Sequence, residues 1–367
     1  MEKIGFEDWQ ILLSLFPSGW EQAATLTGAL ERLRGFESAE ALIRTLLLHV
    51  ARGFSLRETV AQARVANLAN VSSVALMKRL RKSEPWLRGL CLALLEESGV
   101  VLAEEKGTRS VRVVDGTIVR EPGKTGSQWR LLYSLQLPTL LCDFFDLTSA
   151  RGVGTGEVLT RVPVQPGDLL LADAAYCSTA GIEHVVQLGG DVLVRVNPLT
   201  LLIHGPTGRR KRLLPLLAKL TKAGEVGDWP VFLSGREGLI EGRVCALRKS
   251  EEEIRKSERK LRRKAYKKQV KVRPETFEYA KYVIVFTTWR KGTAAQILGW
   301  YRVRWQIELA FRRLKSLVQL GHLPKYDDAS SRAWLYGKLF VALLAQKLMR
   351  VGRDISPWGY ELPLDTK

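Results

Sequence analysis

Three acids and one basic-aromatic stripe carry the chemistry that can be read from this chain. Asp115 closes the apolar run VRVVD and Asp173 closes LLLAD. In α/β sheets the ends of buried strands are where reactive groups are presented. The third acid, Glu308, lies in YRVRWQIELAFRRLK, residues 301–315. At about 100° per residue on a helix, Tyr301, Arg304, Glu308 and Lys315 fall within about 60° of one another. Trp300, Val303, Ile307, Phe311 and Leu314 take the adjoining face, so the polar stripe borders the buried side. Three carboxylates from two strands and a helix form a hard oxygen donor set, which suits Mg²⁺ or Mn²⁺. Two such ions can activate a hydroxyl and stabilise the leaving oxygen in an in-line phosphoryl displacement. The neighbouring cations would hold phosphates.

Each element has a plainer reading. Asp115-Gly116 is also the dipeptide of a two-residue hairpin turn. Asp173 can cap a following helix. The stripe can be a row of long side chains lying along a core border, with an Arg–Glu helical pair.

The elements that must position these residues follow from the texture of the chain. Residues 1–108 repeat apolar residues at helical spacing and predict an all-helical domain. From 109 the runs SVRVVDGTIV, WRLLYSLQLP and TLLCDFFDLTS predict three strands in an antiparallel meander. After the glycine-rich break RGVGTG come a short helical piece (EVLTRV), a buried strand (DLLLAD), a helix (TAGIEHVVQLG) and a strand (DVLVRVN). A helix crossover implies that the last two strands are parallel. The first part of an α/β core thus spans 109–197. Residues 198–282 predict a mostly β insertion, with strand-like LTLLIHG, LLPLLAKL, WPVFLSG and GLIEGRVCALR. YVIVFTT (282–288) returns to the main sheet or closes the insertion. The second part of the core covers 283–350, with one long helical region at 293–318 and another helix at 329–350. Residues 351–367 predict an irregular tail.

Charge narrows the class of partner. The 367 residues carry 57 Lys and Arg against 38 Asp and Glu, a net charge of +19, with 46% hydrophobic residues. That is a folded polycation, and its expected partner is nucleic acid. Residues 1–106 are neutral, with 13 charges of each sign. Residues 248–273 hold 13 basic and 4 acidic residues, nearly half of the excess. Within them Arg262, Arg263, Lys264, Lys267 and Lys268 predict a sequence-independent backbone contact, against the plainer reading of a solvated charged helix. In the N-terminal segment, SLRETVAQARVANLANVSSVALMKRLRK predicts two helices about a short turn, the first capped by Ser55 with Glu58 and the second started by Ser72 or Ser73. Lys78, Arg79, Arg81 and Lys82 would face DNA if this is a helix-turn-helix, and solvent if it is an ordinary hairpin. Four scattered Cys and four scattered His argue against a disulfide framework and a zinc site. No signal peptide or membrane-length apolar run is read, so a cytoplasmic, nucleoid-associated protein is expected.

The spacing Tyr-x2-Arg-x3-Glu-x6-Lys, met in full by Tyr301, Arg304, Glu308 and Lys315, resembles the signature of the insertion-sequence-4 family of DDE transposases. VVDGT resembles that family's first-Asp block and LLLADAAYCS its second. The resemblance covers about residues 109–350. It implies a ribonuclease H-like mixed sheet core with a β-rich basic insertion. It implies that Asp115, Asp173 and Glu308 bind two divalent ions, and that Tyr301, Arg304 and Lys315 grip phosphates at a cleaved transposon end. It also implies metal-dependent strand cleavage and strand transfer at terminal inverted repeats, by a homodimer that holds two ends and target DNA. Trp289, in FTTWRKG, is the candidate for stacking on a flipped base. One departure is that Ala174 and Ala175 follow the second Asp, where many relatives carry a basic residue or glycine. Two other readings remain: a DNA-binding protein derived from such an enzyme, and a nuclease of the same core without strand transfer. RGVGTGE (Gly152, Gly154, Gly156) reads as a flexible turn, because its third glycine comes too early for a dinucleotide site and Glu157 would face the pyrophosphate. Cys177 and His184 show no catalytic pattern.

Overall fold

The computed structural model describes residues 4–97, 110–120 and 128–355, except 138, 153, 317, 322, 325 and 326. Six helices come first: α1 (Ile4–Ser14), α2 (Trp20–Leu26), α3 (Ala39–Val50), α4 (Leu56–Val65), α5 (Ser73–Lys82) and α6 (Glu84–Glu97). The expected caps are present: Ser55 and Glu58 form a capping box on α4, and Ser72 accepts from Ala75 N–H at the start of α5. The mixed α/β unit follows as β1 (Val111–Arg120), β2 (Gln128–Leu137), β3 (Leu141–Ser149), β4 (Leu169–Ala172), α7 (Thr179–Gln187) and β5 (Asp191–Arg195). The insertion contributes β6 (Ile203–His204), β7 (Arg210–Lys211), α8 (Leu214–Leu217), β8 (Val226–Ser234), β9 (Leu239–Arg248), α9 (Glu251–Lys268) and α10 (Pro274–Ala280). The chain ends its described course with β10 (Tyr282–Thr287), α11 (Ala294–Val303), α12 (Gln306–Ser316) and α13 (Asp328–Ile355).

One sheet of ten strands unites the described residues, in the order β3-β2-β1-β4-β5-β10-β9-β8-β6-β7. β1, β2 and β3 form the expected antiparallel meander, and β1, β4 and β5 run parallel. All four residues of β4 are buried, as a central parallel strand covered on both faces requires. Alternate residues serve two cores. Val113, Leu169, Leu171 and Leu193 face the helices α1–α6 and α11–α13; Val114, Leu170, Val192 and Val194 face α7 and α8. The N-terminal helices and the sheet share one continuous apolar core, in which α6 lies along α13.

Several expectations are corrected. LLPLLAKL is not a strand: Leu214–Leu217 form a short helical turn with proline in its first positions, where a missing N–H costs nothing. LTLLIHG contributes only Ile203–His204 to the sheet, and EVLTRV only the 3-10 turn Leu159–Arg161. YVIVFTT does both of its alternative jobs, since β10 pairs with β5 on one side and β9 on the other. The insertion therefore prolongs the core sheet. The hairpin turn read at Asp115-Gly116 is absent, because β1 stays in register with β2 through Arg120↔Gln128. The helical region 293–318 breaks at Arg304–Trp305 into α11 and α12.

A buried ion cluster pins the strands beneath the site. Arg112 on β1, 4% exposed, donates from Nε to Asp143 of β3 and from Nη1 to Asp168 Oδ2 (3.0 Å) and the Pro163 carbonyl (2.6 Å). Removing the cation would strand two buried carboxylates, which is far costlier than losing the pair as a unit. We expect Arg112→Met to lower the free energy of unfolding by roughly 3–5 kcal/mol. A urea denaturation midpoint equal to the parent's would refute this role.

Candidate active site

The sheet register sets the two aspartates side by side. β1 pairs with β4 only from Val111↔Leu169 to Val113↔Leu171. Two residues beyond that last pair stand Asp115 and Asp173, at the mouth where the parallel strands part. Asp115 continues the Val111–Val113 face, toward the helical layer that holds α11 and α12. Its Oδ1 accepts from Gly116 N–H at 2.8 Å. Asp173 accepts from Ala175 N–H at 2.7 Å and so caps the turn Ala174–Tyr176; the capping reading and the strand-end reading both hold.

Arg304 joins the helical acid to the strand acid. Its Nη2 donates to Glu308 Oε1 at 2.8 Å and its Nη1 lies 3.7 Å from Asp115 Oδ2. Arg304 and Asp115 are 14% and 16% exposed, while Glu308 is 59% exposed. The guanidinium carbon also lies 5.7 Å from the Tyr301 ring centre. Burial works against the Arg304 charge, yet Tyr301, Glu308 and Asp115 together hold its pKa above the ordinary value. The helix break explains this arrangement. Around Trp305 the bonds tighten to i→i−3, with Ile307 N–H donating to Arg304 O and Glu308 N–H to Trp305 O. Tyr301 becomes buried, while Trp300, assigned to the buried face on a straight helix, is 37% exposed. Ile307, Phe311 and Leu314 are buried as expected, and Lys315 is exposed on the last turn of α12.

The Asp115 carboxyl sits where its charged form is disfavoured. Burial raises the Asp115 pKa from 3.8 to about 6; the Gly116 N–H and Arg304 oppose this, and Asp173 and Glu157 add to it. Asp115, Asp173 and Arg304 are therefore brought together, and Glu308 reaches them through Arg304. Among the described residues no three His, Cys, Asp or Glu side chains form a ready metal cage. The donor chemistry nonetheless fits a divalent cation: the acids offer oxygens only, and crowding favours whatever positive charge enters.

Residues that the sequence reading missed complete the surroundings. Glu157 raises the Asp115 pKa and is itself raised, by burial first, with Arg130 opposing and Asp173 adding. Arg195 ends β5 and favours the charged form of Tyr301. It is the next strand end along the sheet, so the rule that singled out Asp173 could have found it. Glu157 had no such signal, because only the folded loop brings it there.

The candidate DNA-binding residues divide. On α5, Arg79 donates to the carbonyls of Ala29 (2.9 Å) and Arg32 (3.2 Å), Arg81 pairs with Asp327 (3.0 Å) and Lys82 with Glu31 (2.9 Å). These three tie α5 to its neighbours, while Lys78 is exposed. The link between α4 and α5 spans residues 66–72, longer than the usual three or four residues of a helix-turn-helix. On α9, Arg262 stacks over Phe277 at 5.0 Å, and Arg262, Arg263, Lys264, Lys267 and Lys268 are all solvent-facing. Trp289 is half-buried just after β10, against the larger core.

Residues 106–344 match the family model described as the transposase DDE domain. The chain belongs to the DDE transposase family and is a transposase. It is 30% identical, over 96% of both chains, to the protein named as a transposase, InsL, of insertion sequence element IS186A from Escherichia coli K12. It is also 30% identical, again over 96% of both, to the transposase of insertion sequence element IS421 from Escherichia coli. Among solved structures it is similar to the catalytic domain of human endonuclease V, with a TM-score of 0.27, 12% identity, and coverage of 68% of this chain and 98% of that one. A likeness that slight carries no argument.

The Asp115 shift gives a stability test. A carboxyl with a raised folded pKa binds its proton more tightly when folded, so its stabilising effect is complete below about pH 4 and is lost as pH rises through about 6. In EDTA, Asp115→Asn should be more stable than the parent above pH 7, by about 2–3 kcal/mol. That advantage should disappear toward pH 4. A pH-independent difference would sink the assignment.

Proposed function

We propose that this transposase cleaves DNA at the ends of an insertion element and joins the freed end to target DNA, as an insertion-sequence-4-like member of its family with a ribonuclease H-like core. The single observation that carries the reading is the Asp115–Asp173 juxtaposition at the parting of β1 and β4, coupled through Arg304 to Glu308. A meander followed by parallel strands, with Asp115 in mid-strand where β1 and β4 part, Asp173 just past the end of β4 and Glu308 on a later helix, supports the core assignment. In this reading Asp115, Asp173 and Glu308 hold two Mg²⁺ or Mn²⁺ ions. Such ions, when bound, activate the attacking hydroxyl and neutralise the leaving oxygen.

The chain's own residues do the rest. Arg304 offers a planar fork to a phosphate, and its pairing with Asp115 and Glu308 fixes that fork beside the acids. Tyr301 buttresses the guanidinium from the buried side, and Lys315 meets the backbone further along. Trp289 serves as the stacking platform for an extruded base. The segment 1–108 recognises the terminal inverted repeats, with Lys78 toward the DNA and Arg79, Arg81 and Lys82 supporting α5. The segment 198–282 clamps flanking duplex through α9. Segments 109–197 and 283–350 form the catalytic core, and 351–367 the tail, whose first five residues are not irregular as expected but continue α13 to Ile355, while 356–367 lie outside the described residues. Joining two ends requires a homodimer in the synaptic complex. Among the described residues no helix is long and apolar enough to cross a membrane. The proposed location is the cytoplasm, on the nucleoid.

The test is a labelled duplex carrying the element's own end, with Mg²⁺ or EDTA. Metal-dependent nicking at the boundary followed by joining is expected. Asp115→Asn, Asp173→Asn and Glu308→Gln should each abolish cleavage and leave end binding intact. Binding without cutting in either metal would favour a DNA-binding descendant, and nicking without joining a nuclease.

The α9 clamp has a separate readout. Changing Arg262, Arg263, Lys264, Lys267 and Lys268 together to Gln should weaken binding to all sequences alike. It should flatten the salt dependence by about 0.9 in log–log slope for each phosphate that is no longer neutralised. A weakening confined to one sequence would contradict a backbone clamp.

A further inference from the structure

A second concentration of positive charge lies outside α9. Residues 198–224 hold six Lys and Arg and no Asp or Glu. Four of the six are consecutive: Arg209, Arg210, Lys211 and Arg212. All four are exposed, and among the described residues no ion pair and no side-chain hydrogen bond reaches any of them. The basic end of α5 is different, because Arg79, Arg81 and Lys82 each bond a partner there.

The run is mounted on a short, well-fixed hairpin, β6 and β7. Gly205 N–H donates to the Arg209 carbonyl at 2.8 Å, and Gly208 N–H to the Gly205 carbonyl at 3.0 Å. Pro206 sets the second position of that turn, and Gly208, at φ 75°, takes a left-handed conformation open to glycine. Leu201, Ile203, Leu213 and Leu217 are buried in the smaller core and hold the hairpin from below. The hairpin is also remote from the root of α9. β6 meets β8 at His204↔Phe232, whereas α9 follows the end of β9, where Leu247 pairs with Val226. Between Val226 and Phe232 β8 advances six residues, about 20 Å at roughly 3.4 Å per residue.

Two uses suit unpaired cations on the last strand of a sheet. Charge on an edge strand blocks pairing with another chain. β7, however, contributes only Arg210 and Lys211 to the sheet, and an edge that short is already a poor template. A surface guarding only its solubility also mixes both signs, whereas this one carries a single sign, which draws in a polyanion. We propose that the β6–β7 hairpin is a second, sequence-independent binding surface for duplex DNA, with Arg209, Arg210, Lys211 and Arg212 on backbone phosphates. This rests on the reading of the chain as one that grips duplex DNA, and it adds a site that α9 does not cover.

The test measures binding of the full chain to two labelled duplexes in EDTA over a range of salt. One duplex carries the element's own end and the other an unrelated sequence. The measurement is made in the parent and in the chain whose five α9 cations are already Gln, where the hairpin is read without α9. In that second chain, changing Arg209, Arg210, Lys211 and Arg212 together to Gln should weaken both complexes alike. The log–log salt slope should fall by about 0.9 for each phosphate no longer neutralised, up to roughly 3.6 for all four. Changing Arg209, Arg210 and Arg212 to Lys keeps the charge and should keep the slope. Thermal unfolding should not move in either variant, since all four side chains are exposed. An unchanged slope in the Gln variant overturns the proposal, and self-association of that variant in sedimentation would then assign the cations to guarding the edge. A loss confined to one duplex overturns it as well. If the parent binds neither duplex, the underlying DNA reading fails rather than the hairpin alone.

Discussion

Two carboxylates held side by side in a partly dry cleft are the constraint around which this molecule is organised. Left to solvent and free rotation, Asp115 and Asp173 would separate. The parallel register of β1 and β4 forbids it, because each acid stands two residues beyond the last pair of these adjacent strands, Val113↔Leu171. Burial first, and the neighbouring Asp173 in addition, push the Asp115 carboxyl up to about 6. A sheet that imposes such a contact must resist deformation there. Burial of β4 on both faces supplies part of that resistance. The Arg112–Asp143–Asp168 cluster supplies another part, three residues from Asp115 and toward the opposite face. Strain at the site is thus balanced by order just beneath it.

The positive charge of the chain is arranged in a complementary way. The site itself is acidic, while α9 concentrates cations far along the sequence. That helix is stable despite its charge for local reasons. Ser250 and Glu253 form a capping box, Glu251, Glu252 and Glu253 lie at the positive end of the dipole, and Lys267 and Lys268 at the negative end. It belongs to the insertion whose strands prolong the core sheet.

The fold was legible where pattern reflects local physics. The meander, the parallel β4–β5 pair, the caps at Ser55 and Ser72 and the strand-end Asp173 all follow from periodicity and side-chain chemistry over a few residues; Asp115, read as a strand end, lies in the middle of β1. What was hidden depends on tertiary packing. The segment 301–315 contains neither proline nor glycine, so nothing local marks the break at Arg304–Trp305. The hairpin signal at Asp115-Gly116 was overridden because β2 pairs through that point. The basic end of α5 looked like a surface for DNA, yet Arg79, Arg81 and Lys82 bond to partners 47 or more residues away in sequence. Glu157 stood where a glycine-rich break passes into the short helical piece EVLTRV, and Gly116 read as a turn residue. Only the folded loop reveals that the one glycine makes room for the other acid.

The break in the last helical region has its own logic. On a straight helix Tyr301 and Phe311 would point about 80° apart, and Tyr301 would leave the core while Trp300 entered it. The observed break buries Tyr301 and Phe311 in the same core and exposes Trp305 at the bend. Arg304, the residue at the bend, is thereby held against Tyr301 on one side and between Asp115 and Glu308 on the other. A guanidinium in water would pair with such carboxylates only weakly. At 14% exposure, with an aromatic ring behind it, the same group becomes a fixed bridge that relates a helix to a strand. The sequence motif that spaces Tyr301, Arg304 and Glu308 therefore encodes a bent backbone as much as a stripe of side chains. The bend is what lets one arginine serve both acids.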